Sequence, residues 1–63
     1  MDFALHDYGN IVVIEPITDG ACNWMEVNVY VPRYMKMGKG FAADHPMAQN
    51  IIDAIVDNGF EIN

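Results

Sequence analysis

Four consecutive β-branched residues at positions 11–14 constrain the fold of this chain more than any other feature. β-branched side chains favour extended backbone, and a run that is apolar at every position is typical of a strand covered on both faces or central in its sheet. Gly9-Asn10 directly precedes the run and is a two-residue turn signal, which predicts a hairpin over residues 3–16. Pro16 should end the second strand, because proline has no N–H to donate to a neighbouring strand.

The next segment fits a short helix better than a strand. Thr18 is a candidate N-cap, and Asp19 follows in the first turn, where the helix dipole favours a carboxylate. Three apolar residues at helical spacing share one face: Ala21, Trp24 and Met25. Toward residue 31, however, apolar and polar residues alternate as in a half-buried strand. We therefore predict a helix over residues 18–27, with a strand over residues 24–31 as the alternative.

A second helix near the C-terminus has the clearest pattern. Asp44 can cap it, and Pro46 is accepted in its first turn. Its predicted apolar face consists of Met47, Ala48, Ile51, Ile52, Ile55 and Val56. Gly59 is a stop signal, since glycine adopts the left-handed conformation without a Cβ clash. Residues 41–43 predict a short strand before the helix, and residues 60–62 predict a closing strand or a tail packed on the sheet.

Together these elements predict a single small α+β domain over residues 1–63. A small antiparallel sheet, made of the N-terminal hairpin and short strands, would pack against two helices in the approximate order ββαβαβ. With 52% hydrophobic and 19% charged residues, the chain lies outside the class of disordered sequences. No apolar run approaches the roughly 20 residues that span a bilayer, and the first residues lack the pattern of a signal peptide. A cytoplasmic location without membrane contact is therefore expected.

Residues that could carry catalysis or bind a metal are few and scattered. Cys22 is the only cysteine, so an intrachain disulfide is excluded, and a lone cysteine is usually a small buried hydrophobe. His6-Asp7 and Asp44-His45 could act as ligand pairs only if the fold brings both together. No nucleophile motif, phosphate-binding loop or spaced Cys/His set is present. The sequence predicts a protein that is not an enzyme and has no metal or cofactor; an enzyme would need a pocket joining Cys22 or a histidine to a carboxylate.

Charge is segregated along the chain. All three basic residues lie within residues 33–39, whereas nine acids occupy the rest and give a net charge of −6. Proline, glycine and methionine accompany the basic residues over positions 32–40, which predicts an exposed basic loop. A surface of one sign repels nucleic acid and anionic membranes and steers the chain toward basic partners. The predicted partner is therefore a basic protein surface, and direct binding of nucleic acid is not expected.

Candidate interface residues follow from this charge map. The acidic candidates for partner binding are Glu15, Asp19, Asp44, Asp53, Asp57 and Glu61, with Asp7 as a further candidate. The basic loop offers a second candidate interface through Arg33, Tyr34, Lys36 and Lys39. Other interpretations stay open: the acids serve solubility alone, and the loop is simply solvated, pairs with the chain's own acids, or docks on a second copy in a homodimer.

Several short motifs in the chain resemble those of a known group of small proteins. The stretch FALHDYGNIVVIEPIT, a tryptophan six residues after Thr18, and a helix ending in DNGFEI resemble short proteins of phages, prophages and other mobile elements. The matching positions are His6, Gly9, Ile11, Pro16, Thr18, Trp24, Asp57 and Gly59. The likeness departs at Asn58, which separates Asp57 from Gly59, and over residues 27–39. The resemblance implies that the chain is encoded by a mobile element. It implies no particular activity, because the group has no established one.

Small mobile-element proteins are often accessory factors or inhibitors of host machinery, including anti-CRISPR and anti-restriction proteins, and some of them are acidic. Combined with the charge map, the resemblance leads to the hypothesis of a non-catalytic acidic module that occupies a basic nucleic-acid-binding surface of a host protein. The alternative hypothesis is a small structural homo-oligomer or scaffolding accessory protein.

Overall fold

The computed structural model describes residues 1–30 and 35–63 of the chain. Their elements are β1 (Phe3–Asp7), β2 (Ile11–Pro16), α1 (Asp19–Asn28), β3 (Lys36–Met37), β4 (Gly40–Asp44) and α2 (His45–Asp57). The strands form one sheet in the order β1-β2-β4-β3, and each neighbouring pair is antiparallel. The predicted α+β class, with a small antiparallel sheet and two helices, is confirmed.

The N-terminal hairpin forms around Gly9, as the turn signal predicts. Gly9 has a φ of 89°, and its N–H donates to the Asp7 carboxylate over 2.8 Å. A side chain of Asp commonly accepts from the backbone two residues later, which stabilises a turn locally. β2 lies between β1 and β4, so the β-branched run is central in its sheet.

The two faces of the sheet have different surroundings. Cross-strand partners share a face, so the pairs Phe3 with Pro16 and Ile14 with Phe41 mark one side. The core joins this side to buried residues of both helices, including Ala21 and Ile55. The opposite side, which we call the open face, carries Ala4, His6, Val13, Glu15 and Ala42. Ala4 and Val13 are buried on the open face, but neither belongs to the cluster that joins the sheet to the two helices.

Helix α1 confirms the predicted helix within one residue at each end. The Thr18 hydroxyl accepts from Ala21 N–H over 3.2 Å and caps the helix. Ala21 and Met25, one turn apart, are both buried against the sheet. The alternating pattern that suggested a strand does not correspond to alternating burial, since Val27 is 82% exposed. Burial of one helical face prevails over local strand propensity here.

Helix α2 begins and ends as predicted. The Asp44 carboxylate accepts from Met47 N–H over 2.9 Å, and Gly59 follows the helix with a φ of 83°. One member of the predicted apolar face is wrong, because Val56 is 58% exposed. Ile55 points into the core, and the next residue is rotated by roughly 100° around the helix, so Val56 faces outward.

Residues 36–44 differ from the predicted loop and single short strand. Two residues form β3, and β4 begins at Gly40, so part of the predicted loop over residues 32–40 is a tight hairpin. Gly38 in its turn has a φ of 62°, a conformation that favours glycine. Residues 31–34, which include the candidates Arg33 and Tyr34, lie outside the described residues. The predicted closing strand is reduced to one parallel bridge between Phe3 and Ile62.

Candidate functional site

The acidic candidate residues lie on separate elements of the fold. Glu15 is half-buried on the open face, and the others are exposed: Asp19 in the first turn of α1, Asp44 before α2, Asp53 and Asp57 on α2, and Glu61 in the C-terminal tail. The fold therefore does not gather them into one pocket. It presents them as a distributed negative surface, which suits long-range attraction more than coordination of a small ligand.

Several of these carboxylates also have local partners. Asp44 caps α2, and the Asp53 carboxylate accepts from the Gln49 side-chain amide over 2.9 Å. Glu15 lies 3.2 Å from the His6 ring on the open face. These contacts are with neutral groups or with a histidine, so they leave the negative charge of Asp44 and Asp53 in place.

The two described lysines do not neutralise this surface. Within residues 1–30 and 35–63, neither Lys36 nor Lys39 has a carboxylate within 4.0 Å; the ion pairs found there involve histidines or the amino terminus. The charge segregation of the sequence is thus also a segregation in space for these two cations. Arg33 lies outside the described part of the chain and is not part of this comparison.

One carboxylate with a structural role, Asp2, has no signal in the sequence. It accepts from the Thr18 hydroxyl over 3.0 Å and from Glu61 N–H over 2.9 Å, and so joins β1, the start of α1 and the tail. The Glu61 N–H and, second, the Thr18 hydroxyl lower the pKa of Asp2, because both donate to its charged form. Contacts between residues 59 positions apart cannot be found from local patterns.

The lowered pKa of Asp2 predicts a loss of stability in acid. A folded-state pKa below the unfolded one means that the stabilising contribution is complete above the ordinary aspartate value and is lost as pH falls through the lowered value. We expect Asp2→Asn to reduce the dependence of urea unfolding on pH over that acid range. Asp53→Asn, which makes the same change of net charge on α2, is the control. Equal acid dependence in wild type and Asp2→Asn would contradict the assigned role.

The two histidines contact different parts of the N-terminal hairpin. His6 pairs with Glu15, whereas His45 hydrogen-bonds the Gly9 carbonyl and lies 4.0 Å from the Asp7 carboxylate. The fold therefore brings Asp7 to His45 but directs His6 elsewhere. In the portion of the chain that the structure describes, no group of three or more His, Cys, Asp or Glu side chains could hold a metal ion.

Sequence reasoning missed a cleft between α1 and the β3–β4 hairpin. Its volume is about 450 Å³, and it is lined by Lys36, Lys39, Cys22, Glu26, Phe41 and Tyr30, among others. Cys22 is half-buried here, less enclosed than the small core residue expected from the sequence. The cleft depends on the pairing of residues 36–37 with β4, and a two-residue strand leaves no periodic pattern that could have predicted it.

Comparisons with known proteins add no relative: no protein-family model, curated protein or solved structure matches this chain significantly. Neither helix of the described residues is long and apolar enough to cross a membrane. The candidate functions therefore depend on the surface and the cleft of this chain alone.

Proposed function

We propose that this chain is a non-catalytic acidic protein-binding module that docks on a basic surface of a host protein. As in phage-type inhibitors of the anti-CRISPR or anti-restriction kind, it would occupy a surface that normally grips nucleic acid, in the host cytoplasm. The acidic candidates form the docking surface: Glu15, Asp19, Asp44, Asp53, Asp57 and Glu61. The proposal includes that the chain is encoded by a phage or another mobile element, as the resemblance implies.

The observation that carries this proposal is the separation of the lysines from the carboxylates. Net charge is −6, and within the described ranges no carboxylate lies within 4.0 Å of a lysine. An excess of unneutralised charge at exposed positions produces a field that extends to about the Debye length, roughly 8–10 Å in physiological salt. Such a field speeds encounter with a basic partner and rejects acidic ones.

Helix α2 gives the negative surface a rigid part. Asp53 and Asp57 lie four residues apart and therefore on one row of the helix, and both are exposed. Like charges at this spacing cost the isolated chain a few tenths of a kcal/mol, roughly. A basic partner placed along that row would remove the repulsion, so this pair gains more from binding than two isolated acids would.

The test combines identification of the partner with its salt dependence. A tagged chain retrieves partners from host lysate at low salt, and the purified candidate is then measured against the chain between about 50 and 500 mM salt. We expect the association rate constant to fall steeply with salt, and Asp53→Asn with Asp57→Asn to lower both the rate constant and its salt slope. Asn23→Gln with Asn50→Gln, also exposed helical positions, is the uncharged control.

Two results would overturn the proposal. One is an association rate constant that does not change with salt. The other is a partner that binds its nucleic acid equally well with and without saturating amounts of this chain. Capture of a protein from lysate supports the proposal only when both of these measurements agree with it.

The open face favours a second candidate function, a small structural homo-oligomer or scaffolding protein. Ile11 lies on that face two residues before Val13 and is 40% exposed, and an exposed apolar side chain on a sheet can pack against a second copy. The molar mass of the free chain by light scattering, at roughly tens of micromolar, distinguishes the two functions. A monomer favours the binding module, whereas twice the monomer mass favours the homo-oligomer.

A further inference from the structure

The cleft between α1 and the β3–β4 hairpin combines an apolar wall with the described cations. Its volume of about 450 Å³ lies within the range of small-molecule sites, roughly 300–1,000 Å³. Val29 and Tyr30 line it with half-buried and exposed side chains, above the buried Met25 and Phe41. Val29 and Tyr30 present an apolar surface that a short hydrocarbon chain can cover.

Both lysines of the chain line this same cleft. Lys36 is the cross-strand partner of Phe41, so it projects to the helix-covered side of the sheet, where the cleft lies. Lys39 occupies the turn of the same hairpin. Both side chains are exposed, and neither lies within 4.0 Å of a described carboxylate. An anionic group can therefore approach both ammonium groups without first displacing an ion pair.

Glu26 restricts the charge of a ligand. It lines the cleft from α1, opposite the hairpin that carries the lysines. A ligand with several negative charges would face Glu26 as well as the net charge of −6. A single negative charge, attached to an apolar chain, meets both lysines and the apolar wall and leaves Glu26 in water.

We propose that this cleft binds a small amphipathic monoanion, a carboxylate on a short hydrocarbon chain. The carboxylate lies between Lys36 and Lys39, and the chain covers Val29 and Tyr30. This site is separate from the acidic docking surface, so the outcome of its test does not depend on the proposed function.

Octanoate, below its micelle concentration, is the probe for this site, and NMR titration of the full chain is the measurement. We expect octanoate to shift the amide resonances of cleft residues and octylamine to leave them unchanged, because octylamine carries the opposite charge on the same chain. Octanol should bind more weakly than octanoate, since it keeps the apolar contact and loses the charge. This comparison uses the wild-type chain and does not depend on the folding of any variant.

Charge variants then locate the carboxylate. Lys36→Gln and Lys39→Gln should each weaken octanoate binding by about two- to fivefold, as expected for an exposed ion pair. Glu26→Gln should strengthen it by about the same factor. Asn63→Asp is the matched control: it changes the net charge as Lys36→Gln does, lies on the tail beside β1 at the other edge of the sheet, and keeps an oxygen that can accept from Leu5 N–H.

The thiol of Cys22 provides a second readout, since it is half-buried in the same cleft. Octanoate should slow its reaction with a maleimide, whereas octylamine should not. Equal binding of all three probes, or an unprotected Cys22 at saturating octanoate, would overturn the proposal. So would Lys36→Gln and Lys39→Gln variants that bind as Asn63→Asp does. The double variant Asp53→Asn with Asp57→Asn should bind octanoate at least as tightly as wild type, which separates this site from the acidic surface.

Discussion

Phe3→Ala is expected to unfold most of the protein at room temperature. Phe3 is fully buried, and its ring makes edge contacts with Trp24 and Phe60 at centroid distances of 6.1 and 5.5 Å. Removing a buried phenylalanine ring costs about 3–5 kcal/mol. At about 0.05–0.15 kcal/mol per residue, a chain of this length has a total stability of only roughly 3–9 kcal/mol. The loss is therefore comparable to the whole free energy of unfolding at the lower end of this range, which is where the small core of so short a chain places it.

Phe3 also holds the C-terminal tail through its backbone. Its N–H donates to the Glu61 carbonyl over 3.0 Å, and its carbonyl accepts from Asn63 N–H over 3.2 Å. Loss of the ring loosens the strand that makes these bonds, so the tail and the packing of Phe60 should be lost together with it. Unfolding should remain cooperative, because the three aromatic rings belong to one cluster.

Urea unfolding followed by the fluorescence of Trp24, the single tryptophan, measures this effect. Tyr8→Ala is the control, since that aromatic side chain is 67% exposed at the hairpin turn, and its loss should change the free energy of unfolding by less than about 0.5 kcal/mol. A Phe3→Ala variant that stays folded with a loss below about 1 kcal/mol would show that the aromatic cluster does not hold this fold together.

The parts of the fold that could be predicted are those with local signals. Gly9-Asn10 marks the first turn, Thr18 and Asp44 cap the two helices, and the β-branched run is central in the sheet. In each case a side chain acts on backbone within a few residues of itself. Such interactions are visible in a single sequence because they need no knowledge of the tertiary structure.

The parts that could not be predicted depend on contacts between distant residues. Asp2 bonds to residues 16 and 59 positions away, and the aromatic cluster joins Phe3 to Phe60. Residues 36–40 of the β3–β4 hairpin fall within the predicted loop, because a strand of two residues has no period and its glycines suggest a loop. The cleft has no signal in the sequence for the same reason, since Lys36 pairs with Phe41 only once the hairpin has formed.

Gly40→Ala and Gly20→Ala are expected to change stability in opposite directions. A Cβ at Gly40 would clash with the Ile14 carbonyl oxygen and lie 3.0 Å from Glu15 Cα, both backbone atoms of the central strand. Backbone shifts of this kind cost roughly 1–3 kcal/mol. A Cβ at Gly20 would lie 3.9 Å from the Phe60 ring, an ordinary contact, and alanine in a helix is favoured over glycine by about 0.5–1 kcal/mol.

Urea midpoints of the two variants against wild type measure this difference, and each variant is the control for the other because both add one methyl group. A stabilising Gly40→Ala would contradict the close approach of β4 to β2. Gly40 also lines the cleft, so displacement of β4 should move the hairpin that carries Lys36 and Lys39. Gly40→Ala should therefore weaken octanoate binding under conditions where it is still folded, whereas Gly20→Ala, outside the cleft lining, should leave that binding unchanged.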